Sequence, residues 1–393
     1  MYEVDQILGN NKLIYLSAID QNIYAEVAIR AIKKGCQVVL LPDQLKGHFD
    51  LQPVYNDGAI FIYVRKDDSK QLDNFVLAMF TSGSTDDPKI YAFNMNKIEK
   101  TLSWYKKIYG VTNKSVIISP MPTSYNFSFI AGVLNANYNG AKYYYKKPEE
   151  IMTFLQEHAK EYDKVVILAN PIILDMLSEI DNTMGANVLI DSGGAPLSTK
   201  AIRIFRHKGF DIREGYGLTE TASLTHFDAE GNDESIGSVG FPVDESVSTE
   251  LVEFGSKPMV KIISPNIGRR INIDGQFIED ENDSYQTTDI ARLDKDGRLI
   301  LLGRATDIAI NGMYPKDTME LIADILMQKC VLVQHLPNEQ VNIRFFDPDM
   351  LKHTEEIKNI LSAKLKISRD NVTVECIPGL LHSLKLQRKK YAQ

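Results

Sequence analysis

Short apolar runs alternate with amphipathic segments along the first half of the chain, and this alternation restricts the fold more than any single residue does. Leu13, Ile14, Tyr15 and Leu16 make the first run. Asp20 then stands at a helix N-cap position, Ile23, Val27 and Ala31 recur on one helical face, and Gly35 follows as a stop. CQVVLLP and NFVLAMF read as buried strands. Ile151, Phe154 and Leu155 mark a helix, VVILA at 165–169 a strand, and Pro171 opens another helix. The strand NVLID, the turn SGGAP, a helix over 198–208, Gly209 and the strand FDIRE continue the pattern. Such repetition predicts an α/β fold of mostly parallel sheets flanked by helices.

The pattern changes near residue 230. GSVGFP, MVKII, RRINI and RLILLG read as short strands separated by turns, a β-rich subdomain over 230–304. After Gly303 the order becomes helix, strand (VLVQHL), strand (VNIRFF), helix over 351–365 and strand (VTVECIP). Residues 305–393 therefore read as a small α+β domain with its boundary near 304–312. Residues 1–304 are left as one large N-terminal domain, with 1–80 supplying its first sheet layer.

The chain has 393 residues, 44% apolar and 24% charged, enough for a sizeable core. Its net charge of −8 argues against nucleic acid or an anionic membrane as a general partner, since both need a basic face. Cys36, Cys330 and Cys376 are far apart, in no metal or redox spacing, which fits a reducing compartment. The N-terminus has no basic start followed by an apolar stretch. The longest apolar runs, 75–80 and 165–169, are far too short to span a membrane. A cytoplasmic protein without membrane insertion is expected.

Residues 81–89, TSGSTDDPK, follow the NFVLAMF strand. Small hydroxyl and glycine residues let N–H and O–H groups close around phosphate oxygens, and Lys89 adds positive charge. Alone, such a loop is equally a polar turn between strands. It is not a Walker loop, which needs G-x-x-x-x-G-K-[ST], because Lys89 lies between Pro88 and Ile90.

Four further elements follow in order. EGYGLTE places the hydroxyl of Thr219 and the carboxylate of Glu220 after a strand, where a carboxylate can hold Mg²⁺ together with nucleotide phosphates. YQTTD ends in Asp289, suited to the paired hydroxyls of a ribose. GRATD carries Arg304, which can pair with phosphate or ribose, and Asp307. IPGLLHSLKLQRKK carries Lys385. Each is ordinary by itself: a tight turn, a cap residue, a surface ion pair, a solvated basic tail.

Taken in order, these elements resemble the adenylate-forming superfamily of acyl-CoA synthetases, peptide-synthetase adenylation domains and firefly luciferase. The resemblance covers nearly everything after about residue 75. TSGSTDDPK is similar to that family's Ser/Thr/Gly loop, SGGAPLS to its adenine-side turn and YGLTE to its Tyr-Gly-x-Thr-Glu motif. GSVGFP resembles the glycine segment that follows, YQTTD the Thr-Gly-Asp motif and GRATD the hinge.

The resemblance implies ATP, Mg²⁺ and a carboxylic acid substrate. Thr81, Ser82, Gly83, Ser84, Thr85 and Lys89 would hold the β- and γ-phosphates. Thr219 would contact the α-phosphate and Glu220 the metal. Gly194, Ala195, Tyr216 and Gly217 would line the adenine, and Asp289 would bind the ribose with Arg304 nearby. Lys385 would reach in from a small mobile C-terminal domain, with Asp307 as its hinge. The implied reaction joins the acid to AMP, releases pyrophosphate, and passes the acyl group to the thiol of CoA or of the phosphopantetheine on an acyl carrier protein. Two anions must meet while developing charge is neutralised, which is a task for positioned cations.

The chain also departs from the family pattern. Asp86 stands where glycine is usual. Two unit charges ~4 Å apart interact by about 4 kcal/mol at an effective dielectric near 20, so its carboxylate must point away, bind through the metal or weaken ATP binding. Thr288 replaces the glycine before Asp289, Thr306 takes the usual hinge place with Asp307 one later, and the loop AINGMYP is shorter than usual, which bears on thiol transfer more than on adenylation. Leu384 precedes Lys385 where glycine is usual, leaving Lys389 as the fallback. Residues 1–80 are short for the family, so the acid pocket is either more open or completed by a partner chain, as in a homodimer.

For the acid, the resemblance points to Tyr125, Asn126 and Phe127 and to Gly193. Amino-acid-activating relatives carry an aspartate in this segment, whereas Asn126 lacks a full charge and Tyr125, Phe127 and Phe129 are aromatic. An aryl or fatty acid without an α-amino group is expected. Two other readings stay open: an enzyme that stops at the adenylate or acylates a protein side chain, and a catalytically weak nucleotide-binding protein of the same fold in a regulatory or assembly role.

Overall fold

The computed structural model describes residues 2–66, 72–81, 88–180, 182 and 185–377. Helix α1 (Tyr2–Asn10) leads into strand β1 (Leu13–Ala18), helix α2 (Gln21–Lys33) and strand β2 (Gln37–Leu40). The hairpin β3 (Leu51–Asn56) and β4 (Ile60–Arg65) follows, then β5 (Leu77–Phe80) and β6 (Ile90–Phe93). Asp20 caps α2, its carboxylate accepting from the N–H groups of Asn22 and Ile23, an arrangement worth about 1 kcal/mol. Next come α3 (Met95–Tyr109), β7 (Ser115–Ser119) and a π-helix (Phe127–Leu134) running into α4 (Asn135–Asn139). The alternation then continues through β8 (Lys142–Tyr145), α5 (Pro148–His158), β9 (Lys164–Ala169), α6 (Pro171–Met176), β10 (Val188–Ser192), α7 (Thr199–His207) and β11 (Asp211–Tyr216).

Short strands β12 (His226–Phe227) and β13 (Phe241–Pro242) finish a seven-stranded sheet of order β13-β12-β11-β10-β9-β7-β8. Its strands β7 to β11 are parallel throughout, as the alternation requires. Beyond them lie β14 (Ser248–Phe254), β15 (Lys257–Ile263), β16 (Arg269–Ile271), β17 (Ser284–Leu293) and β18 (Leu299–Arg304). Four of these make an antiparallel sheet of order β14-β15-β17-β18. The fifth, β16, from the RRINI segment, instead pairs with β6. It extends the other seven-stranded sheet, of order β16-β6-β5-β2-β1-β4-β3, in which only β1, β2 and β5 run parallel.

That mixed sheet is buried on both faces. Alternate residues divide between them: Ile14 and Leu16 face the large core, while Leu13 and Tyr15 face a smaller one with Val39, Phe80 and Ile90. The large core joins the two seven-stranded sheets through Val27 and Ala31 of α2 and Leu102 and Tyr105 of α3.

After β18 the chain forms α8 (Pro315–Leu321), α9 (Ala323–Leu326), β19 (Val331–Leu336), β20 (Gln340–Phe345), α10 (Thr354–Leu365) and β21 (Val372–Cys376). The strands make a sheet of order β19-β20-β21 around a core that includes Val341, Ile343, Phe345, Ile357 and Leu361. Lys385 and Lys389 lie outside the described residues. Among the described residues no helix is long and apolar enough to cross a membrane.

Candidate active site

The loop at 81–89 joins two antiparallel strands, with Phe80 opposite Ile90. Its neck is closed by the Thr81 N–H, which donates to the Lys89 carbonyl across 2.8 Å. Ser82, Gly83, Ser84, Thr85 and Asp86 lie outside the described residues, so of the residues expected to hold phosphate only Thr81 and Lys89 are described.

β11 ends at Tyr216, and the chain turns at once. A methyl group on Gly217 would come within 1.9 Å of the Ser223 carbonyl oxygen, so only glycine fits there. Thr219 and Glu220 begin a short 3-10 helix, Thr219–Thr221. Ala222 and Ser223 then take left-handed backbone angles, φ 51° and 83°, each a cost of order 1 kcal/mol. The turn is held from below by Tyr105, whose hydroxyl lies 2.9 Å from the Ser223 hydroxyl. Glu220 is fixed at both ends: its carbonyl accepts from the Gly268 N–H at 2.7 Å, and its Oε1 accepts from the Tyr285 hydroxyl at 3.0 Å.

Asp289 lies within β17, directly opposite Arg304 of β18. Arg304 Nη1 reaches Asp289 Oδ1 at 2.9 Å and the Thr288 hydroxyl at 3.1 Å. The Tyr216 hydroxyl donates to Asp289 Oδ2 at 2.8 Å. Burial and the Asp289 charge hold the Tyr216 hydroxyl well above its ordinary pKa, so it remains a neutral donor. Asp307 is buried, and its Oδ2 accepts from the Arg304 N–H at 2.7 Å, tying the expected hinge residue to the end of β18.

In the turn expected to face the adenine, the Gly193 N–H donates to the Ala169 carbonyl, and Gly194 takes φ +86° with open space where a β-carbon would stand. A methyl group on Gly193 would stand 3.1 Å from the Phe127 ring, so two residues expected in the acid pocket touch. Phe127 opens the π-helix, a helix form often found at functional sites. Tyr125 and Asn126 immediately precede it, and the Tyr125 carbonyl accepts from the Phe129 N–H.

A cleft of about 930 Å³, open to solvent, brings some of these residues together, though not Thr81, Lys89, Glu220, Phe127 or Gly193. Gly194, Ala195, Tyr216, Gly217, Asp289 and Arg304 line one side, with Lys316, Met319 and Val333 from the C-terminal segment on the other. Two charged lining residues, Glu214 and Lys316, escaped the sequence reading. Glu214 accepts from the Leu197 N–H at 3.0 Å through Oε1, and its Oε2 has no hydrogen-bond partner among the described residues. Burial pushes its pKa up to about 7, against the pull of the nearby Lys316 charge. Alternation along β11 was the available signal, since it puts Glu214 on the buried face with Ile212 and Tyr216. Lys316 donates to the Leu197 carbonyl and pairs with Glu320 at 2.9 Å, and Glu320 in turn accepts from the N–H and hydroxyl of Thr199 at the start of α7. Nothing in the sequence marked this cross-connection.

The family profile described as AMP-binding enzyme matches residues 18–261, more than half the chain. This chain belongs to the AMP-binding enzyme family. The matched segment includes Glu220 and ends before Asp289, Arg304 and Asp307. Among curated relatives of this family member, 2-succinylbenzoate–CoA ligase of Listeria monocytogenes is 24% identical over 79% of this chain and 68% of its own length. Oxalate–CoA ligase of Arabidopsis thaliana is 26% identical over 72% of this chain and 57% of its own. Among solved structures, the anthranilate CoA ligase AuaEII with anthranoyl-AMP superposes with a TM-score of 0.71 at 15% identity, covering 99% of this chain and 90% of that one. The O-succinylbenzoate CoA synthetase of Bacillus subtilis with AMP gives 0.67 at 16% identity, over 96% and 89%.

The residues present fit the nucleotide and metal that go with this family. No group of three or more His, Cys, Asp or Glu that could hold a metal by itself occurs among the described residues. Mg²⁺ seldom needs one, because it binds through one or two carboxylates plus phosphate oxygens and water. Glu220 is the candidate carboxylate: it is partly buried, with Oε2 free of protein hydrogen bonds among the described residues.

Proposed function

We propose that this chain uses ATP to convert a carboxylic acid without an α-amino group, aryl or fatty, to its acyl-adenylate, and then passes the acyl group to the thiol of CoA. The observation that carries the reading is the convergence of Tyr216, Asp289 and Arg304 on one cleft, with Glu220 four residues beyond Tyr216. Asp289 and Arg304 receive the ribose side, Gly194 and Ala195 the adenine. Thr219 contacts the α-phosphate, and Thr81 and Lys89 stand at the neck of the polyphosphate loop. Glu220 would hold Mg²⁺, which would supply positive charge beside the phosphates. Lys385 brings a cation to the reacting carboxylate and the α-phosphate from a lid of residues 305–393 that turns about Asp307. Tyr125, Asn126, Phe127 and Gly193 shape the acid pocket.

One observation favours a second reading, adenylation without thiol transfer. The loop after the hinge closes on itself: Ile310 and Met313 exchange two backbone hydrogen bonds, at 2.9 and 3.0 Å, around Asn311 and Gly312, both at positive φ. This is a minimal turn with little reach towards a thiol channel. ATP–pyrophosphate exchange across a panel of aryl and fatty acids tests the first half-reaction, and absence of exchange in protein that still binds ATP sinks the proposal. Mass spectrometry of CoA and of a phosphopantetheinylated carrier protein, after incubation with ATP and the active acid, decides between thiol transfer and release of the adenylate.

A further inference from the structure

Two tyrosine–carboxylate bonds run in opposite directions between the same two chain segments. Tyr216 of β11 donates to Asp289 of β17, and Tyr285 of β17 donates to Glu220 just beyond β11. The first involves residues already assigned. The second uses a side chain to which the motifs give no role. Resting on the reading of Glu220 as the magnesium carboxylate, we infer that Tyr285 is a positioning residue that sets the direction of the Glu220 carboxylate for the metal.

The main chain at Glu220 is already fixed. Its carbonyl accepts from Gly268, where a methyl group would come within 2.5 Å of the Phe93 ring, so that segment cannot draw back. The neighbouring Ile267 carbonyl accepts from Lys97 Nζ at 2.7 Å. What remains free is rotation of the glutamate side chain, a flexible group with several staggered wells. The Tyr285 hydroxyl selects one of them by occupying Oε1, which leaves Oε2 for the metal. Tyr285 is itself held by Tyr91, whose ring stands edge-on at 6.3 Å and 89°. Tyr91 lies on β6, two residues past Lys89, so a continuous set of contacts runs from the neck of the polyphosphate loop to the metal carboxylate.

Mn²⁺ binding followed by electron paramagnetic resonance, with α,β-methylene ATP present, reads this directly. Tyr285→Phe keeps the ring and its packing and removes only the donor. Mn²⁺ affinity is expected to fall about 10-fold, the usual effect of losing a residue that orients a metal ligand. Binding of the ATP analogue in EDTA stays as in the wild type. In exchange assays the Mg²⁺ dependence moves by the same factor and the rate at saturating Mg²⁺ approaches that of the wild type, whereas a purely structural role lowers the rate at every Mg²⁺ concentration and overturns the inference. Unchanged Mn²⁺ affinity in Tyr285→Phe, with affinity lost in Glu220→Gln, also overturns it. Unchanged affinity in Glu220→Gln instead overturns the metal reading of Glu220 on which it rests.

Discussion

Tyr216 donates its hydroxyl to Asp289 across 2.8 Å, and Arg304 occupies the other oxygen of the same carboxylate at 2.9 Å. Both oxygens of the proposed ribose ligand therefore have a protein partner before nucleotide binds. Bound ribose hydroxyls must share these oxygens or displace a donor.

This arrangement gives a measurable coupling. Tyr216→Phe retains the aromatic ring and leaves Asp289 Oδ2, in a residue 6% exposed, without its donor. An unsatisfied buried acceptor costs about 1–3 kcal/mol, so the unliganded variant should unfold at lower denaturant. A ribose hydroxyl can then supply the missing donor. AMP should accordingly raise the thermal midpoint of Tyr216→Phe more than that of the wild type, and an equal or smaller rise counts against Asp289 as the ribose ligand.

Beneath the turn, Asp191 is fully buried and accepts from the Tyr109 hydroxyl. Burial raises its pKa from 3.8 to about 7. A carboxylate held above its unfolded value favours the fold while protonated. Its contribution is complete below about pH 4 and is lost as pH rises through about 7. Asp191→Asn keeps an acceptor for Tyr109 and cannot ionise. Urea unfolding at pH 5 and pH 8 should show the wild type losing on the order of 3 kcal/mol relative to this variant over that range. A difference independent of pH would falsify the assignment.

Gly217 and Gly194 separate two reasons for glycine. A methyl group on Gly217 meets backbone at 1.9 Å, which neither side can relieve without moving the turn that carries Glu220. Gly194→Ala meets open space and bears only the strain of φ +86°. Denaturant midpoints should place Gly217→Ala several kcal/mol below the wild type and Gly194→Ala about 1 kcal/mol below it. Comparable losses in the two variants would show that the 217–224 turn can relax.

Much of the architecture was legible because hydrophobic period and caps are local signals. Asp20, the strands at 165–169 and 188–192, and the helix at Thr199–His207 all follow from patterns a few residues long. The β3–β4 hairpin was not legible. Its strand LQPVYN carries a proline and faces mainly solvent, so little apolar alternation marks it. The motif residues could be read as candidates, but their pairing could not: Tyr216 and Asp289 are 73 positions apart. Tyr285, Glu214 and Lys316 went unread for the same reason, since their importance lies in partners supplied by other elements.

The contact between Gly193 and Phe127 bears on acid choice. A β-carbon at Gly193 would stand 3.1 Å from Phe127 Cε1, closer than ordinary packing allows, so the ring must give way by a few tenths of an ångström. Phe127 is only partly buried and begins the π-helix, so its ring can shift, at the expense of the space beside it. That space is where the acid is proposed to lie. Gly193→Ala should therefore raise KM for ring-bearing acids by roughly 10-fold, equivalent to about 1.4 kcal/mol, and raise it less for slender unbranched acids. ATP binding should be unaffected, because Gly194 and Ala195 on the nucleotide side keep their conformation. Exchange kinetics with one acid of each shape provide the comparison. An equal rise for both shapes would place the acid elsewhere, and a rise in KM for ATP alone would assign Gly193 to the nucleotide.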